Sequence, residues 1–213
     1  MQSTYGMKAN HYTSVLLRLH HQRWALGLAV ALLVGGYPIP KPVQANPPVQ
    51  TAQSIWKPFS STQGRFTVLM PGTPRHLTLS VNTQDAGIVN LNMFLVERNQ
   101  ESVIYGVGYN DYPISYIQQL NQKKLIEHAL DLGRDAAIRG SQGSLQSERR
   151  ISLGGYPGRE IRYTRPGGKI TITRMYLVKQ RLYQVTVETT QQKQRYLSKS
   201  IEGFLNSFSL LSR

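Results

Sequence analysis

The feature that most constrains the fold of this chain is the alternation of apolar and polar residues across positions 156–190. Its period of two is that of a half-buried β-strand, and its β-branched and aromatic residues fit a pleated sheet. Lys179-Gln180 separates two such stretches, so we expect a tight turn there. After Thr190 the spacing becomes that of an amphipathic helix that covers the sheet. The apolar stripe of this helix comprises Leu197, Ile201, Phe204, Leu205 and Phe208.

Similar alternating stretches lie on both sides of a second predicted helix. This helical region can start after Asp111-Tyr112-Pro113, and its main part runs from about Asn121, a suitable N-cap, to Gly140, a suitable C′ residue. Gly106 and Gly108 share one face of a predicted strand, which indicates the close approach of a neighbour. The order is several strands, a helix, several strands and a helix, with short hairpin connections. This order predicts an α+β fold with a central, mostly antiparallel β-sheet and two amphipathic helices.

The first 45 residues have the composition of a secretory signal peptide. Arg18 and Arg23 precede an apolar run at residues 24–36, and Ala45 supplies the small residue that signal peptidase requires. An uncleaved membrane anchor is the alternative interpretation. We interpret residues 46–54, which are polar and contain proline, as a disordered leader, and residues 55–213 as one domain.

The charge of the chain favours an anionic partner. The sequence carries a net charge of +14, and the part after Ala45 has 21 basic against 11 acidic residues, which leaves +10. Such an excess suits an anionic membrane surface, and predicted export argues against nucleic acid. Charge that serves solubility alone is the alternative. The chain has no cysteine, and therefore neither a disulfide nor a lipid-anchoring cysteine.

The basic residues are densest between Arg159 and Arg181, where Glu160 is the one acidic residue. We predict that four of them contribute to docking on an anionic membrane surface or on a membrane protein complex. These residues are Arg162, Arg165, Lys169 and Arg174. The alternative interpretation is that charged strand edges prevent edge-to-edge aggregation.

One acidic row is the best metal candidate in the sequence. Glu127, His128 and Asp131, with Asp135 one turn further, offer ligands for a hard cation because the carboxylates are spaced four residues apart. A single helix face supplies too few converging ligands. Basic residues four positions away, Lys123 and Arg139, favour surface ion pairs instead. We therefore expect neither a bound metal nor a cofactor.

Four tyrosines lie around the break between a predicted strand and the helical region. Tyr105, Tyr109, Tyr112 and Tyr116 could line a pocket for a small apolar ligand. Such a pocket would make the protein a carrier. Tyrosines at the end of a sheet more often pack with their hydroxyls in water, and this interpretation is favoured.

Catalytic motifs are scarce in this sequence. After Ala45 the histidines are His76 and His128, and the chain has neither a Gly-x-Ser-x-Gly elbow nor a cysteine nucleophile. We predict a non-catalytic protein. The alternative is a hydrolase or other small-molecule enzyme of the envelope, which a histidine meeting a carboxylate and a Ser or Thr in a deep pocket would favour.

Three phrases resemble secreted bacterial proteins of the PsbP-like family. They are GRFTV closing on PGTP at residues 64–74, GYPGRE at residues 155–160 and FLNSF at residues 204–208. The best-known member of this family is an extrinsic lumenal subunit of photosystem II. The resemblance implies an α/β/α sandwich without catalysis that docks on a membrane protein complex. It also implies a location in the periplasm or thylakoid lumen.

Overall fold

The computed structural model describes residues 54–83, 86–122 and 124–212. The predicted signal peptide lies outside the described residues, as does the predicted leader apart from Ser54. Their predictions therefore stay predictions. Within the described ranges, no helix combines the length and apolar character needed to cross a membrane.

The described residues form two β-sheets in which every neighbouring pair of strands is antiparallel. The larger sheet has the order β3-β4-β5-β9-β8-β7-β6, and the smaller has the order β1-β2-β10. The strands are β1 Lys57–Ser61, β2 Phe66–Met70, β3 Arg75–Thr83, β4 Gly87–Arg98, β5 Val103–Asp111, β6 Ser144–Leu153, β7 Tyr156–Arg165, β8 Lys169–Val178, β9 Arg181–Thr190 and β10 Ser209–Leu210.

Four helices complete the described part of the chain. They are α1 Ile114–Gln122, α2 Ile126–Gly140, α3 Gln191–Tyr196 and α4 Ser198–Ser207. A short 3₁₀ turn at Asn99–Glu101 separates β4 from β5. The prediction of an α+β fold with a mostly antiparallel sheet is confirmed. The small sheet was not predicted.

The predicted hairpin between β8 and β9 is confirmed. The two strands pair with Ile172 opposite Val187, and Lys179-Gln180 forms the two-residue connection. Gly154 and Gly155 connect β6 to β7 with φ values of 56° and 83°. Two positive φ angles in a two-residue hairpin define a type I′ turn, whose twist matches that of the strands.

The predicted helical region after Pro113 is confirmed, but the prediction that its main part begins at Asn121 is wrong. The segment forms α1 and α2, and Asn121 lies inside α1. Helix α1 ends in a Schellman motif, in which the Leu125 amide donates to the Leu120 carbonyl and Lys124 has a φ of 54°. Helix α2 ends in the same way around Gln142, which has a φ of 53°. Gly140 is therefore the last helical residue and not C′.

The terminal helix begins where the sequence predicted, but it is divided. Thr190 is the N-cap of α3, because its hydroxyl accepts a hydrogen bond from the Lys193 amide. Leu197 separates α3 from α4 and adopts φ −92° and ψ 4°. The predicted stripe is confirmed, since Ile201, Phe204 and Leu205 are buried in α4.

The larger sheet has two covered faces. We call the face under α1 and α2 the helical face, where Leu130 of α2 packs with Ile161 and Met175 of the sheet. We call the opposite face the mixed face, because α4 and the small sheet both cover it. There Phe66 and Phe204 pack with Val185. The result is three layers around two hydrophobic cores.

Two glycines of the larger sheet allow close packing. A Cβ atom on Gly106 would lie 2.5 Å from Cδ2 of Leu95, so Leu95 folds over the strand as the paired glycines predicted. A Cβ atom on Gly158 would lie 2.3 Å from the carbonyl oxygen of Met175. The first clash involves the end of a flexible side chain, whereas the second involves the backbone of a central strand.

We expect Gly158→Ala to lower the free energy of unfolding by roughly 2–3 kcal/mol, because the β8 backbone cannot move away from the new methyl group. Gly203 of α4 is the matched control, since a Cβ atom there meets nothing within 4 Å. Gly203→Ala should raise the free energy of unfolding by about 0.5–1 kcal/mol through helix propensity. Urea denaturation measures both. Equal effects of the two substitutions would contradict this packing.

Candidate functional site

The most buried charge of the described residues is Arg159, which β7 directs toward the helical face. Arg159 is 2% exposed. Its Nη2 atom lies 2.5 Å from Oε2 of Glu127 and 3.0 Å from Oδ1 of Asp131, both on α2. Its Nε atom lies 3.0 Å from Oε1 of Glu148 on β6. One guanidinium therefore ties α2 to the β6–β7 hairpin.

These contacts decide the protonation of the buried arginine. Burial alone would lower the pKa of Arg159, but hydrogen bonds to Glu127 and Asp131 raise it above its usual value. The group therefore stays charged inside the fold. A buried charge is tolerated only when it is paired and hydrogen-bonded, and three carboxylates meet that requirement here.

A second arginine extends the cluster along α2. Arg134 places Nη1 2.6 Å from Oε2 of Glu148 and Nε 2.8 Å from Oδ1 of Asp135. The hydrogen bond from Arg134 lowers the pKa of Asp135 although partial burial opposes it. Glu148 bridges Arg134 and Arg159, so the two arginines and their carboxylates form one network, which we call the Arg159 network.

The Arg159 network explains the acidic row on α2. The carboxylates of Glu127 and Asp131 are directed at an arginine, while His128 is exposed. The described ranges contain no group of three metal-binding side chains placed around a common point. Of the two predicted surface pairs, the pair of Arg139 with Asp135 is found, with 4.0 Å between the charged groups. Lys123 lies outside the described residues.

The predicted docking residues do not form one surface. Arg165 and Lys169 lie on the helical face and both pair with Glu188, whose side chain is 9% exposed. The distance from Lys169 Nζ to Glu188 Oε1 is 2.7 Å. Arg162 and Arg174 lie on the mixed face, because strand alternation directs them the other way. Strand alternation predicts this division between the two faces, and the contribution of the four residues to docking stays a prediction.

Arg174 has a structural role as well. Its Nε atom lies 2.6 Å from Oε2 of Glu160, and its Nη1 atom donates to the carbonyl of Leu205 and to Asn206 Oδ1 at the end of α4. Burial raises the pKa of Glu160, but hydrogen bonds from Arg149 and Arg174 outweigh it and lower that pKa. Among the described residues, Arg162 alone of the four predicted docking residues has no carboxylate partner.

The four tyrosines are divided between the two cores. Tyr105 and Tyr109 are buried under the mixed face, where the Tyr105 ring lies 5.1 Å from the rings of both Trp56 and Phe204. Burial raises the pKa of Tyr105 to about 12. Tyr112 and Tyr116 pack on the other core, with their ring centroids 5.4 Å apart. The four therefore do not line a common pocket. They pack in the two cores, but the hydroxyls of Tyr105 and Tyr109 are buried, so the expectation of hydroxyls in water is wrong for these two.

The arrangement that would favour an enzyme is not found in the described ranges. His76 stacks on Phe94 with ring centroids 4.4 Å apart, and its Nε2 atom lies 3.3 Å from Oδ1 of Asn92. His128 is exposed on α2. Neither described histidine is paired with a carboxylate.

Several described lysines and arginines have no acidic partner. Nine of the ten described acidic residues form ion pairs, and Glu202 is the exception. Eight described cations form no ion pair with another described residue. They are Lys57, Arg65, Lys124, Arg162, Lys179, Lys193, Arg195 and Lys199.

Three of these eight cations lie close together in sequence on α3 and the start of α4. Lys193, Arg195 and Lys199 are all exposed, and Tyr196 between them is 86% exposed. We call these four residues the α3 basic surface. Sequence analysis missed them because the density of basic residues is higher in the hairpin, where carboxylates distant in sequence neutralise it.

Comparisons with known proteins give distant likenesses. No protein-family profile and no curated protein matches the chain. The solved structures that resemble it include cyanobacterial PsbP from Synechocystis sp. PCC 6803, at 10% identity and a TM-score of 0.47 over 76% of this chain and 95% of that one. They also include a Pseudomonas aeruginosa protein of unknown function, at 12% identity and a TM-score of 0.32 over 74% of this chain and 97% of that one. Membership of the PsbP-like family stays a prediction.

We expect Arg159→Met to lower the free energy of unfolding by about 2–4 kcal/mol, because Glu127, Asp131 and Glu148 are then left together without a cation. The partial exposure of these carboxylates keeps the loss in the lower part of that range. Urea denaturation at neutral pH measures the effect.

The matched control is Arg149→Met. The Arg149 side chain is 60% exposed, and its partner Glu160 keeps Arg174. We expect a loss of about 1 kcal/mol or less. Adding Glu148→Gln to Arg159→Met should recover part of the stability. Similar losses for the two arginine substitutions would show that the Arg159 network does not fasten α2.

Proposed function

We propose that the protein is a non-catalytic binding or assembly factor that acts outside the cytoplasm and docks on an anionic membrane surface. The observation that carries the proposal is that the described carboxylates are almost all paired inside the fold, whereas a group of exposed cations is not. Ion pairs occupy nine of the ten described carboxylates, whereas Lys193, Arg195 and Lys199 have no described acidic partner. The α3 basic surface replaces the predicted hairpin residues as the docking site.

The chemistry of the α3 basic surface suits lipid headgroups. A lysine or arginine close to an anionic leaflet contributes about 1 kcal/mol, so three of them strengthen binding roughly a hundredfold. Tyrosine is enriched at membrane–water interfaces because its ring is apolar and its hydroxyl is polar. Tyr196 presents such a ring to solvent between the three cations. This composition supports a lipid surface as the partner.

The location follows from the predicted signal peptide and the non-catalytic role from the scarcity of catalytic motifs. Export would bring the domain to the outer face of a membrane, where peripheral binding needs no spanning helix. A membrane protein complex, including a photosynthetic one, is the alternative partner. It is distinguished by binding to native membranes but not to pure lipid vesicles.

We expect the chain without residues 1–45, the predicted signal peptide, to co-sediment with vesicles that contain phosphatidylglycerol and not with pure phosphatidylcholine vesicles. Replacing Lys193, Arg195 and Lys199 together by Gln should weaken that binding roughly a hundredfold. All three side chains are exposed, so the unfolding midpoint should not change. Tyr196→Ser should weaken binding less, because it removes an interfacial ring and no charge.

A triple substitution of Lys57, Lys124 and Arg139 by Gln is the matched control. It removes the same charge from exposed positions outside α3 and α4. We expect it to retain most of the binding. Equal losses for the two triple variants would show that net charge alone drives binding, and binding to native membranes alone would favour the protein complex.

A further inference from the structure

An open cleft lies where the small sheet meets the turn between β8 and β9. Its volume is about 520 Å³. Its lining includes Arg65, from the turn between β1 and β2, and Lys179, from the turn between β8 and β9. Tyr156, Val178 and Leu210 contribute apolar surface. The cleft therefore combines two basic groups with an apolar wall.

Arg181 also lines the cleft, but its guanidinium already forms an ion pair with Asp111. Its Nε atom lies 2.6 Å from Oδ1 of Asp111, and its Nη2 atom lies 2.6 Å from Oδ2 of the same residue. Its Nη1 atom donates a hydrogen bond to the carbonyl of Gln63 at 2.7 Å. The guanidinium carbon lies 4.5 Å from the centroid of the Tyr109 ring. Arg181 therefore fixes the β1–β2 turn to the larger sheet.

Arg65 and Lys179 differ from Arg181 because neither pairs with a described carboxylate. Tyr183 also lines the cleft. Burial raises the pKa of its hydroxyl, and the charges of Arg181 and Arg65 oppose the rise. Tyr183 itself donates a hydrogen bond to the carbonyl of Gly64 at 2.7 Å. Two cations thus face a space whose one described carboxylate, Asp111, is bound to Arg181.

We propose that this cleft binds a small organic anion with an apolar body, such as an alkyl phosphate or a carboxylate. The anionic group lies between Arg65 and Lys179, and the apolar body lies against Tyr156, Val178 and Leu210. Ligand sites of roughly 300–1,000 Å³ with apolar walls and a few polar groups are typical of small-molecule binding. The volume of this cleft falls in that range.

The cleft site goes beyond membrane docking and is separate from it. Lys179 precedes β9, and α3 follows the other end of the same strand. Ten residues of extended strand place the two regions roughly 30 Å apart. A variant at the cleft should therefore leave vesicle binding unchanged, and a variant of the α3 basic surface should leave ligand binding unchanged.

The backbone conformation of Arg65 and Lys179 allows a substitution that should remove binding without disturbing the fold. Arg65 and Lys179 have φ values of 55° and 56°, in the left-handed region where glycine is unstrained. Replacing both by Gly removes the two cations without introducing strain. Lys124→Gly is the matched control, because Lys124 is also exposed, has a φ of 54° and lies between α1 and α2, away from the cleft.

The test is calorimetric titration of the full chain with hexyl phosphate, hexanoate, inorganic phosphate and hexanol. We expect hexyl phosphate and hexanoate to bind more tightly than inorganic phosphate or hexanol, because they alone satisfy both the cations and the apolar wall. The double Arg65→Gly and Lys179→Gly variant should bind hexyl phosphate at least about tenfold more weakly. Lys124→Gly should bind as the unsubstituted chain does.

Thermal unfolding of each variant verifies that it folds. Unaltered hexyl phosphate binding by the folded double variant would overturn the proposal. It would also be overturned if hexyl phosphate and hexanoate both failed to bind the unsubstituted chain. Binding of hexanol as tight as that of hexyl phosphate would assign the cleft to neutral apolar ligands and would contradict the role of the two cations.

Discussion

The contact between Arg159 and three carboxylates is the interaction on which the arrangement of this fold depends. Helix α2 has 15 residues, of which Leu130 alone is fully buried against the sheet. The Arg159 network adds a directional contact to that apolar packing, since Glu127 and Asp131 must face β7 for their charges to be compensated. A buried ion pair adds little net free energy of folding, because desolvation of its charges offsets their attraction. Removal of one partner is strongly destabilising, because it leaves the other charge buried and unpaired. The network therefore fixes the position of α2 more than it raises overall stability.

The small number of acidic residues also determines which cations stay unpaired at the surface. Arginines occupy most carboxylates inside or at the edges of the fold, as Arg165 does with Glu188 and Arg174 with Glu160. Among the described acidic residues, Glu202 alone is left without a basic partner. Five of the eight described cations without an ion pair lie on α3, at the start of α4 or at the cleft beside the β8–β9 turn. Fold and proposed binding thus follow from one distribution of charge.

Local sequence patterns predicted the parts of the fold that local physics controls. The hairpin at Lys179-Gln180 and the stripe of Ile201, Phe204 and Leu205 followed from periodicity alone. The helix ends did not, because Lys124 and Gln142 adopt the left-handed conformation that sequence rules assign to glycine. The partner of Glu127 could not be predicted either. Arg159 lies far along the chain, and only the pairing of β6 with β7 and the packing of α2 bring them together. Alternation did predict that the basic residues of the hairpin fall on both faces of the sheet, as Arg162 and Arg165 do.

The central claim is that the cations of this protein fall into two groups, those fixed inside the fold and those free to bind a partner. Salt distinguishes them, because exposed charges are screened more strongly than buried pairs. The most direct measurement follows vesicle binding and the urea midpoint of unfolding together, from roughly 0.05 to 0.5 M NaCl. The account predicts that binding to phosphatidylglycerol vesicles falls steeply while the urea midpoint barely changes. Binding that is insensitive to salt, or a midpoint that falls in parallel with binding, would contradict it.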